Sequence, residues 1–129
     1  MVPQPLLNPT LLCIDDEVVG LEVRKITLAS LGYHVLTAPD GPTGIQLAIQ
    51  NHVDLVILDY AMPGMNGGEV AEELRRIKPR LPILMLSAYV NLPQEVLDRV
   101  DEFQVKGDSP AVLFEKIARL LSRSASAAI

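Results

Sequence analysis

The sequence predicts a doubly wound α/β fold, a five-stranded parallel sheet with helices on both faces. Three observations carry that expectation. Short apolar runs alternate with segments of helical spacing five times along 129 residues, and strict alternation of this kind implies parallel strands joined by helices. The runs Leu55–Leu58 and Ile83–Leu86 are continuously apolar, as strands covered on both faces must be. Composition supplies the core: 49% of residues are hydrophobic but only 4% aromatic, with no Trp, so the interior is aliphatic.

Each element follows in order. Leu11–Ile14 is the first strand, and Cys13 within it reads as a small buried hydrophobe rather than a reactive thiol. Residues 17–31 form the first helix, with Val19, Val23 and Ile26 on one stripe and Leu21, Leu28 and Leu31 on another. Gly32 follows as its C-terminal stop. Val35–Ala38 is the second strand, and residues 41–51 are a helix lined by Ile45, Ala48 and Ile49. After Leu55–Leu58 comes a helix over 67–77, lined by Val70, Leu74 and Ile77 and ended by Pro79 and Pro82. After Ile83–Leu86 the segment Pro93–Val100 is the weakest helix, and Phe103–Val105 the weakest strand. Ser109-Pro110 puts a capping hydroxyl before a proline suited to a first helical turn, opening a helix over 110–121. One domain is expected over 10–121, with a flexible N-terminus at 1–9 and a tail or linker start at 122–129.

Several function classes are excluded or disfavoured. A net charge of −5 without a basic block argues against non-specific nucleic-acid binding. A single cysteine forbids an intrachain disulfide and disfavours a Cys-based metal site. No stretch has the length of a membrane span, and the Pro-rich start is not a signal peptide. A soluble, cytoplasmic protein without membrane contact is expected.

Ligand sites in such sheets lie at the carboxyl ends of strands, near the switch in strand order. There the sequence places Asp15, Asp16 and Glu17 after the first run, Asp59 after the third, Ser87 after the fourth and Lys106 after the fifth. Each alone has an ordinary reading. An Asp after a strand is commonly a turn former or helix cap, and Asp15 or Asp16 could cap the following helix. A lone lysine or serine in a loop is commonly solvated. Their joint placement points further. Clustered carboxylates that leave a cation shell incomplete suit Mg²⁺. A carboxylate can be a nucleophile toward phosphorus, and Mg²⁺, an ammonium and a hydroxyl can compensate the three phosphoryl oxygens.

Asp15-Asp16-Glu17, the segment Leu55-Val56-Ile57-Leu58-Asp59-Tyr60-Ala61-Met62-Pro63-Gly64-Met65-Asn66-Gly67, then Leu86-Ser87-Ala88, then Lys106, together resemble the response regulator receiver domain over about residues 10–121. The D-x-x-M-P-x-M-x-G segment is the most specific part. The resemblance implies a (βα)5 flavodoxin-like three-layer sandwich that takes a phosphoryl group from a histidine kinase or phosphotransfer protein. Asp59 would be the phosphoacceptor. Asp16 would bind Mg²⁺ (or Mn²⁺) directly, Asp15 would act beside it, often through water, and the backbone carbonyl of Ala61 would complete the protein's share of the shell. Ser87 would be the switch hydroxyl and Lys106 the partner of acceptor and phosphate. Phe103 matches the aromatic switch position, although an ordinary core aromatic is an equal reading.

The implied partners are a sensor kinase and a downstream target or fused output domain, with a homodimer through the face from the fourth to the fifth helix as a further option. No turnover of an external substrate is expected beyond self-dephosphorylation. Gly107 stands where the family usually has proline, commonly after a cis bond, and a cis bond to a non-proline costs roughly 3 kcal/mol. Arg99-Val100 replaces a small Gly-Ala pair, and the stretch from Ser87 to Phe103 is short. An ordinary phosphorylation site with an atypical output face is therefore expected. Two alternatives compete. A degenerate receiver acting by contact alone would be favoured by loss of an acid or the lysine, and none is lost. A phosphohydrolase of the haloacid dehalogenase type needs a second acid two residues after the nucleophile, where this chain has Ala61.

Overall fold

A computed structural model describes residues 8–127. The chain runs β1 (Thr10–Ile14), α1 (Val18–Ser30), β2 (His34–Ala38), α2 (Gly41–Gln50), β3 (Leu55–Asp59), α3 (Gly67–Ile77), β4 (Ile83–Ser87), α4 (Gln94–Leu97), β5 (Glu102–Val105) and α5 (Pro110–Ala127). All strand pairs are parallel, in the order β2-β1-β3-β4-β5. The expected doubly wound, five-stranded sheet is what forms. The strand order reverses between β1 and β3, so a crevice opens at their carboxyl ends.

The period of two along each strand sorts the core into two layers. Leu12, Ile14, Val56, Leu58, Ile83 and Met85 pack with Ala48 of α2, with Val70, Ala71 and Leu74 of α3, and with Val96 of α4. The intervening Leu11, Cys13, Leu55, Ile57, Leu84 and Leu86 pack with Leu21 and Leu28 of α1 and with Leu113, Ile117 and Leu120 of α5. Cys13 is fully buried and its thiol is pushed up to about 12 by burial, as its place in an apolar run suggested.

Four details differ from the sequence reading. Asp59 and Ser87 are the last residues of β3 and β4 rather than the first beyond them. Of the two apolar stripes on α1, Leu21 and Leu28 are buried, whereas Val19, Val23, Ile26 and also Leu31 are exposed. The fourth helix is only Gln94–Leu97, less than the Pro93–Val100 candidate. The last helix continues through Ala127, where a tail was expected from residue 122; once a helix packs Leu113, Ile117 and Leu120, each further residue adds a backbone bond at little cost. Most of the expected flexible N-terminus (residues 1–7) and residues 128–129 lie outside the described residues.

Local chemistry sets the turns near the crevice. Asn66 and Glu69 form a reciprocal capping box at the start of α3, with Glu69 N–H donating to Asn66 Oδ1 at 3.0 Å and Asn66 N–H to Glu69 Oε1 at 2.9 Å. Gly67 has no room for a side chain: an added Cβ would lie 2.4 Å from the carbonyl oxygen of Asp59. Ser109 Oγ accepts from Ala111 N–H at 3.2 Å, so the expected hydroxyl does serve the start of α5.

Candidate functional site

The acids come together where the strand order reverses. Asp15, Asp16 and Asp59 can each offer a carboxylate oxygen, and these oxygens lie within 4.8 Å of one another. Asp15 leaves β1 fully buried, Asp59 ends β3 at 4% exposure, and Asp16 is exposed. Tyr60 N–H donates to the Leu86 carbonyl at 2.9 Å and Gly67 N–H to the Tyr60 carbonyl at 2.8 Å. The backbone beyond Asp59 is thereby tied to both β4 and α3.

Lys106 arrives from the far edge of the sheet. Its backbone N–H donates to the Ser87 carbonyl at 2.7 Å, extending the β4–β5 ladder. Gly107 then takes φ of +101° in a turn closed by Asp108 N–H on the Val105 carbonyl. Glycine enters that left-handed region at little cost, and proline cannot enter it at all. No peptide bond among the described residues is cis. The ammonium reaches Asp59 Oδ1 at 2.8 Å and Asp15 Oδ2 at 3.0 Å.

The electrostatics follow from burial. Burial pushes the Asp59 carboxyl above its ordinary value, with Asp15 and Asp16 adding to the rise and Lys106 opposing it. Burial works against the Lys106 ammonium, but its bonds to Asp59 and Asp15 outweigh that and raise it. Asp59, Asp16, Ala61 and Lys106 line one open depression of about 350 Å³, with Glu17, Ala88 and Tyr89 on its rim. Three hard oxygen donors with an incomplete shell suit Mg²⁺, so the residues present fit such an ion.

Neither Ser87 nor Phe103 bonds to the acids among the described residues. Ser87 is fully buried and its Oγ accepts from Tyr89 N–H at 2.9 Å, tying it to the loop that follows β4. Phe103 is partly buried against the core layer of α2, α3 and α4. The structure also contains a participant the sequence reading missed. Arg24 of α1 reaches Asp15 Oδ2 with Nη1 at 3.4 Å. A signal existed, because Arg24 falls between Leu21 and Leu28 on the one stripe of α1 that packs inward.

The reversal point of the doubly wound sheet thus gathers three carboxylates and a lysine. The match is specific: residues 11–106 fit the family model of the response regulator receiver domain, and the chain belongs to that family, a component of two-component signalling. It is 33% identical over 129 residues to the alkaline phosphatase synthesis transcriptional regulatory protein PhoP of Bacillus subtilis, covering 95% of this chain and 52% of that protein. It is 32% identical to the transcriptional regulatory protein GlrR of Escherichia coli, covering 91% of this chain and 27% of that one. The chain thus spans about half or less of these relatives' lengths. Among solved structures, the response regulator TrrA of Thermotoga maritima in complex with Mg²⁺-BeF superposes with a TM-score of 0.83 at 35% identity, covering 87% of this chain and 98% of TrrA. TrrA in complex with the histidine kinase ThkA aligns with a TM-score of 0.81 at 35% identity, covering 88% and 98%. No described helix is long and apolar enough to cross a membrane.

Proposed function

We propose that Asp59 accepts a phosphoryl group from a phosphohistidine carried by a kinase or phosphotransfer protein. The observation that carries this reading is the ion pair of Asp59 and Lys106, which lines an open depression together with Asp16 and Ala61. One Asp59 carboxylate oxygen attacks phosphorus and an O–P bond forms. The N–P bond of the donor breaks and its electron pair returns to the ring nitrogen; a donor ring protonated at its other nitrogen leaves as neutral imidazole. Lys106 stands beside the accepting oxygen, ready to pair with the transferred group. Asp16, Asp59 and the Ala61 carbonyl would hold Mg²⁺, with Asp15 behind them; bound there, the ion would offset the charge of acids and phosphoryl oxygens.

The switch follows from Ser87. Its hydroxyl is engaged with Tyr89 N–H. Turning toward a phosphoryl oxygen exchanges that bond and moves the loop leading to α4. Phe103, packed in the layer that contains Val96 of α4, lies where such a shift would be felt. The kinase complex of TrrA supports a kinase partner, and the longer relatives support a downstream target or fused output domain. A homodimer through the α4–β5–α5 face belongs to the same reading.

Acetyl phosphate with Mg²⁺, followed by intact-mass measurement and phosphorus NMR, tests the assignment. The parent should gain one phosphoryl group as an acyl phosphate, and Asp59→Asn should gain none. Equal labelling of Asp59→Asn would sink the reading.

A further inference from the structure

Asp15 is the most enclosed charge at the site, with no solvent exposure. Its Oδ1 accepts the backbone N–H of Glu17 at 2.9 Å. Its Oδ2 faces two cations, Lys106 at 3.0 Å and Arg24 at 3.4 Å. The two are not equivalent. Lys106 is shared with Asp59, whereas Arg24 makes no other ion pair among the described residues and its side chain is 16% exposed.

A buried carboxylate that loses its only cation is strongly destabilised. Pairing of Lys106 with a phosphoryl group on Asp59 draws the ammonium away from Asp15. We propose that Arg24 is a positioning residue that holds Asp15 in place while Lys106 turns to the phosphoryl group. Its guanidinium, rigid and charged at every accessible pH, is suited to staying behind. This rests on the phosphoacceptor reading of Asp59.

Two effects of opposite sign follow. Arg24 places positive charge beside the acids, so it weakens cation binding in the resting protein. It also supports the state in which Lys106 is committed elsewhere. In Arg24→Gln, Mg²⁺ titrated alone and followed by the Asp16 and Ala61 amide signals should bind more tightly, by about threefold or more. Beryllofluoride titrated at saturating Mg²⁺ should bind at least about tenfold more weakly. Arg24→Lys should restore both toward the parent. A merely structural role would weaken both together, so parallel losses, or no change in either, overturn the proposal.

A cycle without metal or phosphoryl analogue reads the same redundancy. Arg24→Gln and Lys106→Met each leave Asp15 one cation, and the double variant leaves none. Its thermal midpoint should fall by more than the sum of the single shifts, and an additive result overturns the role of Arg24. If the parent itself binds no beryllofluoride, the reading of Asp59 fails, and with it the hand-over; a failure of Arg24 alone leaves parental binding intact.

Discussion

The two ends of the β3–β4–β5 half of the molecule are held together by different means. At the crevice, Asp59 closes a strand buried along its whole length, and its backbone is bonded on through Tyr60 to β4 and α3. At the opposite end, the return from α4 to β5 has little helix to pack. One α3 side chain supplies the order. Arg75 donates to the carbonyls of Arg99 at 2.9 Å, Leu81 at 2.8 Å and Pro79 at 3.2 Å, and pairs with Asp101. Asp101 in turn accepts Ile83 N–H at 2.8 Å, and Arg99 donates to the Gly68 carbonyl at 3.1 Å. The contrast teaches that a site can be rigid because it ends buried strands, while a neighbouring edge with a four-residue helix depends on a polar clamp. It also accounts for Arg99-Val100, since the arginine bridges to α3 while Val100 packs on the core.

The largest expected effect breaks the crevice. Gly67→Ala forces a Cβ against the Asp59 carbonyl, so urea unfolding should show a loss of about 3 kcal/mol or more, together with weakened beryllofluoride binding. Arg75→Ala should cost roughly 2–3 kcal/mol by the same measurement, because two part-buried carbonyls and Asp101 lose a charged donor, yet acetyl phosphate should still label Asp59. Loss of labelling there would erase the distinction between the two ends.

Asp59→Asn sharpens the contrast by sign. The folded protein holds the Asp59 proton more tightly than the unfolded chain, whose carboxyls titrate near ~4, because burial raises it. The folded state therefore binds more protons, and stability is lost as pH rises from that range through the raised value. Asparagine removes the loss, so the variant should melt above the parent at pH 7, and the difference should shrink as pH falls toward ~4. The smallest effect belongs to α4: Asp98→Ala removes an exposed bond from Gln94 Nε2 and should change stability by about 0.5 kcal/mol or less.

Much of the fold was legible because its signals are local. Continuous apolar runs marked β3 and β4, and Ser109-Pro110 marked the start of α5 through chemistry spanning a few residues. The acids and Lys106 were found by one rule, that sites in parallel sheets gather at strand carboxyl ends. Helix rotation was less legible. Val19, Val23 and Ile26 have the spacing of a buried stripe but face outward, since two apolar stripes on one helix leave periodicity unable to choose between them.

The sequence by itself determined the alternation of strands and helices and the edge on which the charged residues gather. Short-range burial patterns and turn chemistry are written in neighbouring residues. Only the tertiary structure decided which charges meet. Lys106 and Asp15 are 91 positions apart and Arg24 and Asp15 are 9 apart; their pairing depends on how α1 rotates against the sheet and how β5 docks at its edge. Ser87 turned toward Tyr89, and the Arg75 clamp on a short α4, were decided in the same way, by packing among elements that no local pattern describes.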